Sequence, residues 1–321
     1  MILTVTLNPL LEHRLTYQVL HIGKENRGAQ EQYKAGGKGI NVSRQLNILS
    51  INNLAFTFLG GSNGKILKKL LTEEKINFTS ISTHSETRSS AIIIDESSKT
   101  ITSCFGNDPQ ISFAESEELK LKLEKMIQNC EMVVFSGSSP CEQTNSIFPF
   151  GIQAANQYDK ISICDTYGAH LKDCIDASPT ILHNNLDEVE KSLNVSLRSE
   201  SEIINHLKSL YTKNIKQAFI TDGANPTYAS NLDFLYKVNN PVVEAIDSTG
   251  SGDSFVAGIV YGWHKNLPFE ESLMTASSLG AVNSEKYEVC TVTLEEANSV
   301  KSKVEIIPLG KKMRLVDVKS T

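Results

Sequence analysis
The strongest constraint on the fold is an alternation along the chain. Short β-rich runs at 2–6, 54–59, 132–135, 161–164, 180–182 and 217–221 are separated by stretches of helical period at 40–49, 65–75, 114–127, 186–193 and 202–211. Strands that alternate with helices form βαβ units, so the pattern predicts an α/β fold with a central, mostly parallel sheet. At 321 residues the chain fits one large domain spanning 1–321 with a small appendage. Two segments break the rhythm. Residues 12–35 are polar with strand-like patches; within 88–105, runs at 91–94 and 99–104 flank the turn Asp95-Glu96-Ser97-Ser98 like a hairpin. Together they predict a small β lid over one edge of the sheet. Helical runs at 253–264 and 270–285 are expected to pack near the ligand-binding edge.

Composition removes several classes of function. Lys plus Arg number 31 against 37 Asp plus Glu, a net charge of -6 with no long basic run, which argues against nucleic acid. No apolar stretch reaches the roughly 18 residues of a membrane helix, and the run 1–7 reads as a strand rather than a secretory signal. The six cysteines (Cys104, Cys130, Cys141, Cys164, Cys174 and Cys290) lie far apart, as expected of buried, reduced thiols in a cytoplasmic protein.

Two glycine-rich turns carry the chemistry. In Ala245-Ile-Asp-Ser-Thr-Gly-Ser-Gly-Asp-Ser-Phe-Val-Ala-Gly258 a flexible turn feeds an apolar helix that opens at Asp253. Such a turn aims unpaired backbone N–H groups and the positive end of the helix dipole at one point, which suits a phosphate. A cap at the helix start explains the acid equally well. The second turn, Lys34-Ala-Gly-Gly-Lys-Gly-Ile-Asn-Val-Ser43, also opens a helix and sets Lys38 and Asn41 toward a ligand approaching Gly36 and Gly37. Neither turn has the GxxxxGK[ST] spacing of a P-loop. An acid on one and a cation on the other point to a site between them.

This pair, GGKGxN and DSTGSGDSFVAG, resembles the two signatures of the PfkB (ribokinase-like) carbohydrate kinases. The opening Thr6-Leu-Asn-Pro9 resembles their sugar-phosphate branch, the 1-phosphofructokinases and tagatose-6-phosphate kinases. Asn26-Arg27, Thr87-Arg88, Ser136-Gly-Ser-Ser-Pro140, Asp165, Asn185-Leu-Asp-Glu188 and Thr221-Asp-Gly-Ala224 follow in the family's order. The resemblance implies a three-layer α/β sandwich with a β lid, and transfer of the ATP γ-phosphoryl group to a sugar hydroxyl. Asp253 would be the base, with Gly250, Ser251 and Gly252 as the anion hole. Glu188 and Asn185 would organise Mg2+. Glu12, Arg27, Gly37, Lys38, Asn41, Arg88 and Ser138 would hold the sugar phosphate, with Arg27, Lys38 and Arg88 closing around its phosphate. His183, Asn185, Thr221, Gly223, Ala224, Thr249, Gly250, Gly252 and Asn283 would line the nucleotide. Paired lid edges would give a homodimer.

The chain departs from the pattern at several points. Glu12 stands where the branch usually has aspartate. His183-Asn184-Asn185 replaces KPN, exchanging a permanent cation for a side chain that is mostly neutral at pH 7 when unperturbed. Pro226 replaces a glycine, and Ile101 and Cys104 replace acids in the hairpin. These changes mark a divergent member in which Lys38, Asn41, Glu188 and Asp253 are retained. A kinase for an unphosphorylated sugar or nucleoside, or a sugar-phosphate-binding protein without turnover, stays open alongside the leading reading.

Overall fold
A computed structural model describes residues 1–310. In chain order the strands are β1 (Ile2–Thr6), β2 (Leu10–Tyr17), β3 (Gln30–Gly36), β4 (Asn53–Gly60), β5 (Phe78–Thr83), β6 (Ser89–Asp95), β7 (Thr100–Phe105), β8 (Met132–Ser136), β9 (Ile161–Asp165), β10 (Ile181–Asn185), β11 (Gln217–Asp222), β12 (Asn225–Asn231), β13 (Phe234–Asn239) and β14 (Glu305–Leu309). The helices are α1 (Lys38–Ile48), α2 (Gly61–Glu73), α3 (Phe113–Gln128), α4 (Ile147–Gln157), α5 (Leu171–Asp176), α6 (Leu186–Leu193), α7 (Glu200–Thr212), α8 (Ser251–His264), α9 (Phe269–Ser284) and α10 (Leu294–Lys301).

The main sheet runs β14-β13-β12-β11-β10-β9-β8-β1-β4-β5. It is parallel from β11 to β5 and antiparallel along its β11–β14 edge. Alternate residues of the central strands enter opposite cores, because successive side chains in a strand point to opposite faces. Leu3, Val133, Phe135 and Leu182 join α3, α4 and α7 on one side. Ile2, Met132, Val134 and Ile181 join α1, α8 and α9 on the other. That division makes the three layers. A third cluster (Leu11, Ala35, Ile40, Leu59, Leu67 and Leu71) seats the lid on α1 and α2.

The lid is a four-stranded sheet, β3-β2-β6-β7. The hairpin expected at 88–105 is present as β6 and β7, with the Asp95 carboxylate accepting from the hydroxyls of Ser97 and Ser98 across its turn. β6 pairs parallel to β2, joining the two lid segments into one surface. Lid and body also meet through charge: Arg14 Nη1 donates to the Tyr287 carbonyl at 2.8 Å, and Lys34 pairs with Glu288 at 2.8 Å.

Several elements lie beyond the sequence reading. α4 contains Pro149 and Gly151, ordinarily helix breakers, but Pro149 sits in the first turn, where no intrahelical N–H is lost. β5 and β12 are part-exposed and rich in Ser, Thr and Asn, and β13 and β14 are short, part-exposed strands at the sheet edge. Pro226 falls at the β11–β12 irregularity, outside the paired register, so its missing N–H breaks no ladder bond. The cysteines are free, but Cys104 is exposed and Cys141 only partly buried, which corrects the expectation of uniform burial.

α8 and α9 pack at glycine contacts. A Cβ on Gly258 would lie 2.5 Å from the Cα of Ala276, a backbone atom that cannot swing aside. Gly258→Val is expected to destabilise the protein by about 3 kcal/mol, the upper end of overpacking costs. Urea unfolding with an unchanged m-value would measure it.

Candidate active site
The carboxyl ends of the parallel strands converge on one cleft, where open α/β sheets bind ligands. β1 leads to Asn8, β8 to Ser138, β9 ends at Asp165, β10 carries His183 to Asn185, and β11 ends beside Thr221. The N-termini of α1, α6 and α8 point into the same place.

Gly250 caps α8 in the left-handed region, φ 77, and a Cβ there would lie 2.2 Å from Val289 Cγ1, so glycine is needed twice over. Beneath it Asn283, fully buried, spends its amide on the loop. Its Nδ2 donates to the Thr249 carbonyl at 2.8 Å, and its Oδ1 accepts from the Cys290 backbone at 2.7 Å. Asn283 therefore shapes the turn from below, its side-chain amide committed to the loop. The Ser251 N–H is likewise closed onto the Ser248 carbonyl at 3.1 Å. Among the described residues the N–H groups of Gly250, Gly252 and Asp253 are left without a partner at the helix start.

Asp253, in the first turn of α8, is 4% exposed. Its Oδ2 accepts from Asn41 Nδ2 at 2.8 Å, a contact between the two glycine-rich motifs. Burial raises its pKa to about 7, and the charges of Asp165 and Glu188 add to the rise, against Lys38 and the Asn41 hydrogen bond. A carboxyl balanced near neutrality can take and return a proton.

Gly37, φ 119, opens α1 and projects Lys38 across the cleft. Lys38 Nζ lies 2.7 Å from Glu188 Oε1 and 3.4 Å from Asp165 Oδ1. Burial alone would lower its pKa, but Asp165, Glu188 and Asp253 outweigh that and hold it above the ordinary lysine value. Asp165, fully buried, accepts from Ser136 Oγ at 2.8 Å and His183 Nδ1 at 2.9 Å. Burial would raise its pKa, yet Lys38, His183 and Ser136 together bring it well below the carboxylate range. His183 Nε2 lies 3.2 Å from Thr221 Oγ1, and the ring stacks on Phe255. Asn185 caps α6 through the Glu188 N–H and receives Glu188 in return. A cleft of about 530 Å3 opens here, bordered by Tyr167, Gly168, Asn185 and Glu188. Gly223, Ala224 and Thr249 are exposed and do not line this cleft.

The other end of the cleft is built around Arg88. Its Nη1 meets Asp108 Oδ1 at 3.0 Å and its Nη2 the Asn8 carbonyl at 3.2 Å. Asn8 Nδ2 bridges Asp108 at 2.8 Å and Ser138 Oγ at 3.2 Å. Two polar atoms in this group, Arg88 Nε and Asn8 Oδ1, are buried without a partner. The expected ring of three cations is not assembled. Lys38 turns to Asp165 and Glu188, while Arg27 is 87% exposed in the β2–β3 loop and pairs with Glu25. Glu12, 8% exposed, faces Gly36 and is gripped through one oxygen by Arg14 Nε and Nη2 at 3.0 and 2.8 Å.

The family described as pfkB family carbohydrate kinase matches residues 14–297. The chain belongs to this family. A tagatose-6-phosphate kinase of Staphylococcus epidermidis is 28% identical over 313 residues, covering 96% of this chain and 99% of its own. A solved structure described as a possible 1-phosphofructokinase from Thermotoga maritima has a TM-score of 0.88 at 23% identity, covering 97% of this chain and 100% of that one. Phosphofructokinase-2 from Escherichia coli in complex with potassium has a TM-score of 0.86 at 20% identity, covering 94% and 98%. The sheet, layers and lid of this pfkB kinase thus match solved members of the fold.

Sequence reasoning missed Asn8 and Asp108 as parts of the Arg88 group, and Arg44. Asn8 lay within a quoted motif, and Arg44 lies three residues after Asn41 on one helix face, a signal that was available. Asp108 follows the lid hairpin in a loop with no pattern of its own.

The site's electrostatics can be read directly. The Asp253 carboxyl carbon is expected to titrate by 13C NMR near pH 7, rather than near the ordinary value of about 3.9. Asn41→Leu, which removes the donor to the carboxylate, should move that midpoint up by about one unit. A midpoint near 4 in the native protein would show that burial is relieved in solution.

Proposed function
We propose that this kinase transfers the γ-phosphoryl group of ATP to a hydroxyl of a ketohexose phosphate, as in 1-phosphofructokinases or tagatose-6-phosphate kinases. The observation that carries the reading is Asp253: a buried carboxyl near neutrality, at a helix N-terminus with free N–H groups, held by Asn41. ATP would supply the transferable phosphoryl group, and Mg2+ would neutralise its oxygens. Asp253 takes the proton of the substrate hydroxyl as its oxygen bonds to the γ-phosphorus. The bond to the β–γ bridging oxygen breaks, and ADP leaves with its electron pair. The N–H groups of Gly252 and Asp253 stabilise charge on the moving phosphoryl, and Lys38 balances charge nearby. His183, Asn185, Thr221 and the exposed Gly223, Ala224 and Thr249 would bound the nucleotide.

The donor set fits Mg2+ in a limited sense. Asp165, Glu188 and Asp253 face the single ammonium of Lys38, leaving negative charge for a hard cation. Among the described residues no group of three or more His, Cys, Asp and Glu side chains could cage a metal. Glu188 and Asn185 would therefore hold Mg2+ through water and nucleotide oxygens. Asp253→Asn keeps the side chain's size and an oxygen that can accept from Asn41 but should lower kcat by roughly 10²–10⁴, the range of general-base loss. Near-native turnover would leave Asp253 as a structural partner of Asn41 and not the base.

The acceptor's phosphate is assigned to Arg88, with Ser138 beside it, because the buried Arg88 Nε–H has no partner among the described residues and can donate to an anion. Glu12, Gly37 and Asn41 would line the sugar. A homodimer through the lid belongs to this reading, supported by the open edge of β7, whose residues are mostly exposed. ADP release measured over phosphorylated and free sugars tests the substrate class. Arg88→Ala should raise KM for the sugar phosphate roughly ten- to hundredfold with little change for ATP. Preference for a free sugar or nucleoside, or equal loss on both classes, would replace the phosphate reading.

A further inference from the structure
Asn41 can hold a carboxylate only with its NH2 end toward Asp253; turned over, it would present an oxygen to an oxygen. Asn41 Oδ1 accepts from Arg44 Nη1 at 2.7 Å, one turn further along α1. Because guanidinium has no acceptor, this bond fixes which end of the amide is which, and Nδ2 is left for Asp253 Oδ2 at 2.8 Å. Arg44 is itself anchored by two elements. Its Nε meets Glu74 at the end of α2 at 2.7 Å, and its Nη2 donates to the Ala35 carbonyl of lid strand β3 at 2.5 Å. Its side chain is 13% exposed, so the fork has little room to turn.

We propose that Arg44 is a positioning residue for phosphoryl transfer: it locks the Asn41 amide with its donor toward Asp253 and ties that lock to the lid through Ala35. The proposal rests on the reading of Asp253 as the base. Three bonds from one planar fork meet three elements, and lysine, with its flexible point charge, would not reproduce them. When the lock opens, the turned amide presents Oδ1, which can only accept a hydrogen bond from the O–H of the neutral carboxylic acid. The base then holds its proton to higher pH.

Other groups act on Asp253 and must be held constant. Lys38 on α1, Asp165 on β9, Glu188 on α6 and the thiol of Cys290 all feel its charge, and His183 on β10 lies against Gly252. Removing Arg44 also removes a cation, so a double-mutant cycle with Asn41 separates charge from amide orientation. The Asp253 carboxyl is followed by 13C NMR and assigned by its loss in Asp253→Asn. Arg44→Met should raise the titration midpoint by about one pH unit, and lower kcat/KM about tenfold below both midpoints. In an Asn41→Leu background the same substitution should add no further shift.

An unchanged midpoint in Arg44→Met, or an equal shift with and without Asn41, overturns the proposal. Arg44→Lys, which keeps the charge, serves if the methionine variant does not fold, and should still raise the midpoint. The base reading fails separately, through full turnover in Asp253→Asn, while the titration decides the role of Arg44 either way.

Discussion

A carboxyl buried in the first turn of α8 is the demand around which this kinase is arranged. Withdrawing Asp253 from water pushes it toward its neutral form, and a neutral acid cannot accept a proton from a sugar hydroxyl. The structure meets that penalty only in part. The helix N-terminus and the Asn41 donor favour the carboxylate, while Asp165 and Glu188 repel it. The result is a group near neutrality instead of one fully ionised. Fixing the two N-termini against each other requires the close α8–α9 packing at Gly258 and the α1 contacts beneath the lid.

The same constraint explains why the loop after α9 is tied to so many parts. Val289 presses on Gly250, Asn283 holds both Thr249 and Cys290, and Tyr287 and Glu288 receive Arg14 and Lys34 from the lid. One short segment therefore touches the anion turn and the lid at once.

How much of this was legible depended on burial. β1 and α6 match the sequence reading residue for residue, because buried strands and amphipathic helices leave a clear period. The antiparallel edge and α4 left none: β12 mixes exposed Asn with buried Ala, and α4 hides a breaker in its first turn and a close contact at Gly151, where a Cβ would meet Phe135 at 2.5 Å. In the site, the short motifs placed Asp253, Asn41, Lys38 and Glu188 together. What they could not carry is direction. Lys38 could have turned to either end of the cleft, and the charges of Asp165, Glu188 and Asp253 decide it. Arg27 lies in a solvated loop, paired with the equally exposed Glu25.

The departure at His183 follows from that charge balance. A lysine at this position would be a second ammonium beside Lys38, the two sharing the Asp165 carboxylate. An imidazole instead fits flat against Phe255, giving Nδ1–H to Asp165 and leaving Nε2 beside Thr221. The ring keeps Asp165 ionised with a directed hydrogen bond while its stacked face fills space that an ammonium would have to keep wet. Lys38 is then the nearest permanent cation to Glu188, and its pairing at 2.7 Å becomes intelligible. If this end holds the nucleotide, as proposed, imidazole in place of a lysine ammonium would place more of the work of holding phosphate on backbone N–H groups and on the cation that accompanies it.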